Sequence, residues 1–168
     1  LLLAYDGSFS WRVDTTLGGF TATGAVRSFT TRPSVRVTTE VDENDGFAVG
    51  GTSLREAIAE AIDGETILFD AALNGKRCVL TNGQLVIDKD LTIGASGLGR
   101  GFIIDANGAV TGHRVVEIAV GSTVTMKTLG FTGGNPSGSG GGILNRGTLT
   151  LESSSVSRNQ SGLNVWGG

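Results

Sequence analysis

Thr123-Val124-Thr125-Met126 and Thr148-Leu149-Thr150-Leu151 repeat one alternation of polar and apolar residues, 25 residues apart. A period of two places every second side chain on one face of a strand, so Val124, Met126, Leu149 and Leu151 are expected to point inward together. A step of this size corresponds to one winding of a solenoid. The spacing recurs outward from this pair. Leu85 and Leu91, Ile118 and Val124, and Ile143 and Leu149 stand six residues apart, with Ile93, Met126 and Leu151 two residues beyond. Five residues further on, Phe131 and Val156 hold equivalent places, and Ile103 is expected there in the earlier winding after an insertion from Ala95 to Gly101. The expected fold is all-β: a right-handed parallel β-helix over residues 66–168. Its short strands would stack about 4.8 Å apart and its inward side chains would form ladders. No helical period recurs after residue 63, which argues against leucine-rich and ankyrin repeats.

Composition agrees with many tight turns. Of 168 residues 28 are glycine and 2 proline, and only 17% are charged, which suits an all-β extracellular protein better than a cytosolic enzyme. A net charge of -3 provides no basic face, so nucleic acid is not an expected partner. No apolar run is long enough for a membrane span. The chain opens on Leu1 without a methionine and closes on a Gly-Gly pair, and is expected to be a piece of something longer. Its single cysteine, Cys78, lies in the run Arg77-Cys78-Val79-Leu80 and reads as a small buried residue, with a reactive thiol as the alternative.

Residues 33–65 are expected to form a linker strand and a cap. Val35 to Val41 alternate as a strand, and Asp42-Glu43-Asn44-Asp45-Gly46 follows as an acidic turn. An EF-hand frame fails, because placing Gly46 at loop position six puts Val41 where the first carboxylate belongs. A looser calcium site would use Asp42, Asn44 and Asp45. Ser53-Leu54-Arg55-Glu56 is a capping box, and Leu54, Ala57, Ile58, Ala61 and Ile62 then recur at helical spacing until Asp63-Gly64. A helix of about nine residues needs packing to stand, and the open end of the first winding is its natural partner.

Residues 1–32 read as two strands. Phe9, Trp11 and Val13 share one face of the run 7–13, and a second strand runs near Ala25 to Thr30 before Arg32-Pro33. With Leu3 and the closing Ser28-Phe29-Thr30-Thr31, the stretch resembles the last two strands of a fibronectin type III domain. Phe9 stands where that family has a tyrosine, so the corner hydrogen bond would be missing, and about 30 residues are too few for a sandwich of about 100. The remaining strands are expected upstream or from another chain.

Two further resemblances concern the solenoid. Thr52-Ser53-Leu54-Arg55-Glu56-Ala57-Ile58 with Thr66-Ile67-Leu68-Phe69-Asp70 resembles the CSLREA-type entry segment of bacterial surface β-helix proteins. Thr52 replaces that family's usual cysteine, so its entry-loop disulfide is not expected. Gly141-Gly142-Ile143-Leu144-Asn145 resembles the GGAI-like motif of polymorphic outer membrane proteins, and Asn159 falls where that family often ends a winding. Asn145 and Asn159 read as stacked turn residues, and Asn159-Gln160-Ser161 also fits a glycosylation sequon.

Parallel β-helices also carry polysaccharide lyases and hydrolases, which need paired carboxylates or an acidic cluster with a base. The candidates are Asp88, Asp90, Asp105, Glu117, Arg114 and Arg146. Asp88 and Asp90 flank Lys89 at an expected corner and read as solvated turn residues; His113 has no partner histidine. Gly97-Leu98-Gly99-Arg100-Gly101 lacks the Lys-Ser/Thr of a phosphate loop. The expectation is a secreted or cell-surface structural or adhesive protein whose rigid stalk contacts carbohydrate or surface proteins. The alternatives are the N-terminal part of a β-helix polysaccharide lyase or glycoside hydrolase, and a self-assembling filament subunit that forms a homopolymer.

Overall fold

Successive windings of the chain lie on one another through three parallel sheets. The computed structural model describes residues 7–32, 34–47 and 49–162, and the chain divides into two units, residues 1–34 and 35–168.

In the first unit, β1 (Ser8–Trp11) pairs antiparallel with the later strand β4 (Arg27–Thr30), setting Phe9 opposite Phe29. The two rings stack at 5.6 Å. Between them lies a hairpin absent from the two-strand expectation, β2 (Thr15–Leu17) against β3 (Phe20–Ala22). Gly18 and Gly19 form its two-residue turn with φ of +58° and +83°, the pair of left-handed residues that a type I′ hairpin requires. Trp11 and Val13, expected on a half-buried face, are exposed, and Leu3 lies outside the described residues.

The second unit opens with β5 (Arg36–Val37), much shorter than the expected strand over 35–41. Helix α1 (Leu54–Glu60) follows. Ser53 Oγ accepts from the Glu56 amide while Glu56 Oε2 accepts from the Ser53 amide, the reciprocal capping box read from the sequence. The helix ends two residues early. Ala61 leaves it with ψ of 139°, which turns Ile62 out to 59% exposure, and Gly64 at φ +79° redirects the chain into β6 (Glu65–Phe69).

After β6 and β7 (Arg77–Val79), three windings repeat a three-strand unit. They are β8 (Leu85–Ile87), β9 (Leu91–Gly94) and β10 (Phe102–Asp105); β11 (Val116–Ile118), β12 (Thr123–Lys127) and β13 (Leu129–Thr132); and β14 (Ile143–Asn145), β15 (Thr148–Glu152) and β16 (Ser155–Val156). The sheets run β15-β12-β9-β6-β5, β14-β11-β8 and β16-β13-β10-β7, with every pairing parallel. This is the parallel β-solenoid expected from the alternation. A single helical turn, Gly108–Thr111, and a 3-10 turn, Ala71–Leu73, interrupt the loops after residue 63, where no helix was expected.

The sheet of β9, β12 and β15 keeps both expected ladders, Leu91–Val124–Leu149 and Ile93–Met126–Leu151. The sheet of β8, β11 and β14 departs from the six-residue spacing. Val116, not Ile118, lies between Leu85 and Ile143, and Ile118 sits beside Ile87. The corner from Ala119 to Ser122 is two residues longer than its neighbours, so six residues in that winding reach the wrong rung. In the third sheet Ile104, not Ile103, joins Phe131 and Val156 on the inward ladder. A one-residue slip sends a side chain to the opposite face, and Ile103 points outward.

The core is one continuous cluster from Val35 to Phe131 that includes Leu54, Ala57 and Ile58 of α1. Leu54 and Ile58 border a residual void of about 10 Å³ together with Leu85, Ile87, Ile93 and Ile104, so the helix closes the interior at the β8 end. The inserted loop contributes too, burying Ala95 and Leu98. At the Gly141-Gly142 pair, a Cβ on Gly141 would run into the Gln160 carbonyl and one on Gly142 into the Asn159 side chain. The motif admits a close approach of the following corner.

Candidate functional site

The acidic turn before α1 is a junction. Asp42, buried, receives Arg55 Nε at 2.8 Å and Arg55 Nη2 at 3.1 Å, and its Oδ2 also accepts from the amides of Thr81 and Asn82. Arg55 donates onward to the carbonyls of Gly83 and Gln84. Burial by itself raises the Asp42 carboxyl, but the hydrogen bonds from Arg55, Asn82 and Thr81 outweigh it and hold the pKa below the ordinary range. One carboxylate thus ties the entry turn, the capping helix and the first winding together.

Glu43, Asp45 and Glu56 bring carboxylate oxygens within 4.8 Å of one another. Glu56 Oε1 accepts from the amides of Asp45 and Gly46, and Oε2 from Ser53. Burial raises the Glu56 carboxyl, and these contacts reverse the shift and lower it. The Glu43 carboxyl is pushed up by burial and then by the charges of Asp45 and Glu56. Of the positions read as a loose calcium set, Asp45 joins this group, Asp42 is committed to Arg55, and Asn44 is exposed.

Most of the candidate acids and bases on the windings are committed to the scaffold. Asp90 Oδ1 accepts from the Thr123 amide of the next winding at 2.6 Å, while Asp88 is exposed. Lys89 between them donates to the carbonyls of Ala59 and Ala61, placing a cation at the C-terminal end of α1 where the helix dipole favours it. Asp105 pairs with Arg77 at 2.7 Å. Glu117 meets Arg114 at 3.5 Å, Arg146 at 3.2 Å and Gln84 at 2.8 Å. His113 is exposed. Asn145 Oδ1 turns back to the Gly147 amide. Asn159 bridges windings, accepting from the Gly134 amide and donating to the carbonyls of Phe131 and Ser157. The Asn159 amide is therefore already occupied at the sequon. Cys78 is buried opposite Ile104, and burial, with the Asp42 charge adding to it, pushes its thiol up to about 12.

Two concave regions stand out among the described residues. A groove of about 380 Å³ follows α1 and β8, lined by Arg55, Ile58, Val86, Asp88 and Lys89 among others. The outer face of the third sheet carries the row Arg77, Ile103, Gly130 and Ser155. Gly130 contributes no side chain there, and two adjoining recesses of about 120 Å³ and 230 Å³ share Ile103, Gly130 and Ser155. Sequence reading missed this row because it depends on the true register of β10, which the inserted loop obscured.

Fold and faces together define a helix-capped parallel β-solenoid. The chain matches no protein-family model, and no curated protein or solved structure is significantly similar to it.

Proposed function

We propose that this chain is a structural and adhesive segment of a secreted or cell-surface protein, a stiff β-solenoid stalk that presents its outer faces to carbohydrate or to other surface proteins. The observation that carries the reading is where its charged groups are committed. Arg77–Asp105, Arg146–Glu117 and Lys127–Glu152 each join one winding to the next, and Asp90 and Asn159 hydrogen-bond backbone across windings. These groups stiffen a ladder and hold Asp90, Asp105 and Glu117 in scaffold contacts. The resemblances to fibronectin type III strands and to bacterial surface β-helix proteins support the same placement outside the cell.

The test is to couple the chain to beads and pass them over immobilised glycans and surface proteins while assaying the soluble glycans for cleavage. Retention of beads with no new reducing ends or unsaturated sugars is expected. Depolymerisation of a polysaccharide would replace the adhesive reading with the enzymatic one. A second reading, assembly into a filament, is favoured by the first unit, where Trp11, Val13, Leu17, Phe20 and Phe29 are all exposed. On that reading, sedimentation of the chain should show a concentration-dependent oligomer that substitution of Trp11 and Phe29 by serine disperses.

A further inference from the structure

We infer that the outer face of the third sheet is a binding trough for a linear polysaccharide bearing carboxylates, which rests on the adhesive reading above and names its ligand. The floor is the row Arg77–Ile103–Gly130–Ser155, four stacked positions whose three strand spacings span roughly 14 Å. That length suits several sugar rings laid across the strands. Ile103 offers a half-buried apolar surface to a ring face, and Gly130 leaves the depth for it. The walls supply hydroxyls from Thr128, Thr132, Ser153 and Ser157, and the floor one from Ser155.

Charge selects among glycans. Arg77, Arg100 and Arg158 line the two recesses and no carboxylate does, in a chain whose acidic residues outnumber its basic ones by 16 to 13. Arg77 is paired with Asp105, whereas the guanidinium groups of Arg100 and Arg158 make no ion pair or hydrogen bond among the described residues. Two exposed guanidiniums flanking a hydroxyl-lined hollow provide bidentate donors for carboxylates.

Backbone conformation points to the same place. Four non-glycine residues among those described have positive φ, and three of them line the trough: Thr128 at 58°, Ser153 at 48° and Arg158 at 56°. Arg158 stacks on Gly133, which has φ of +72° in the winding before, so the chain places an arginine at a corner where the preceding winding has glycine. A left-handed conformation disfavours a side chain, and a β-branched threonine most of all.

The experiment is titration of the full chain with polygalacturonate, with dextran as the neutral arm, dextran sulfate as the sulfated arm and polyglutamate as the acidic-peptide arm. Binding to polygalacturonate that weakens as salt rises is expected, with little binding to dextran. Arg158→Gln and Arg100→Gln should each weaken it about tenfold, the scale of one charge-assisted contact, and Arg158→Lys should restore part of the loss. Gly130→Gln fills the trough without altering charge. A Cβ there meets Ile103 Cγ1 at 3.4 Å and Ser155 Oγ at 3.5 Å, so the strand accepts it, and binding should be lost while the far-UV spectrum and melting temperature hold. The inference is overturned by absence of binding, by equal or tighter binding of dextran, dextran sulfate or polyglutamate, or by binding indifferent to Gly130→Gln and the arginine variants. Retention of chain-coated beads on other surfaces would, in those cases, leave the adhesive reading standing, and loss of both would remove it as well.

Discussion

Asp42 and Arg55 meet through two hydrogen bonds, and the same carboxylate oxygen that receives Arg55 Nη2 also receives the amides of Thr81 and Asn82. Thirteen residues separate the pair in sequence, but the contacts that radiate from it reach from the entry turn to the carbonyl of Gln84, just before β8. The Asp42 side chain is 1% exposed and that of Arg55 17%. Removing one partner of such a pair strands the other in a poorly solvated position.

Asp42→Ala should therefore lower the unfolding free energy by about 3 kcal/mol. Urea denaturation followed by circular dichroism measures it. A loss below about 0.5 kcal/mol, the scale of an exposed ion pair, would show that the junction is not buried in solution.

The inward ladders predict a graded series of core substitutions. Phe131 is 1% exposed beneath the last winding, and Val156, stacked on it, is 42% exposed. Phe131→Ala should cost about 3 kcal/mol or more, and Val156→Ala less than about 1 kcal/mol. Equal costs at the two positions would contradict the stacking order.

Acid should loosen the capped end. The folded pKa values of Asp42 and Glu56 lie below their ordinary values, so each carboxyl binds its proton less readily in the fold than in the unfolded chain. Their contribution is complete above the unfolded range near pH 4 and disappears as pH falls through the lower folded values. Glu43 has the opposite sign, since its raised pKa means that its ionisation opposes folding. Hydrogen exchange should show the amides of α1 losing protection between about pH 4 and pH 2. Unchanged protection across that interval would count against the junction.

Cys78 should be inert in the native chain. With its thiol buried and pushed up to about 12, almost none is thiolate at neutral pH. A maleimide should label it only after denaturant is added, and rapid native labelling would place β7 outside the core.

The fold was legible because alternation and a recurring step both survive in sequence: Val124 and Met126 are followed 25 residues later by Leu149 and Leu151, and those residues do pair. The capping helix was legible because Ser53 and Glu56 announce its start. Register was not. A corner two residues longer shifts Ile118 off the rung of Leu85, and the loop carrying Leu98 hides that Ile104 is the inward residue. Corner length is set by backbone turns that leave no periodic trace. The trough was hidden for the same reason, since Arg77, Ile103, Gly130 and Ser155 form a row only once the windings are aligned. The hairpin around Gly18-Gly19 escapes the two-strand reading because its flanks, Thr15–Leu17 and Phe20–Ala22, are exposed strands of three residues each.

The most direct test is nuclear Overhauser contacts between backbone protons of neighbouring windings. Parallel stacking predicts that Thr125 contacts both Thr92 and Thr150, and that Val116 contacts both Leu85 and Ile143. Antiparallel contact patterns, or Val116 touching neither residue, would contradict the solenoid and everything built on its outer faces.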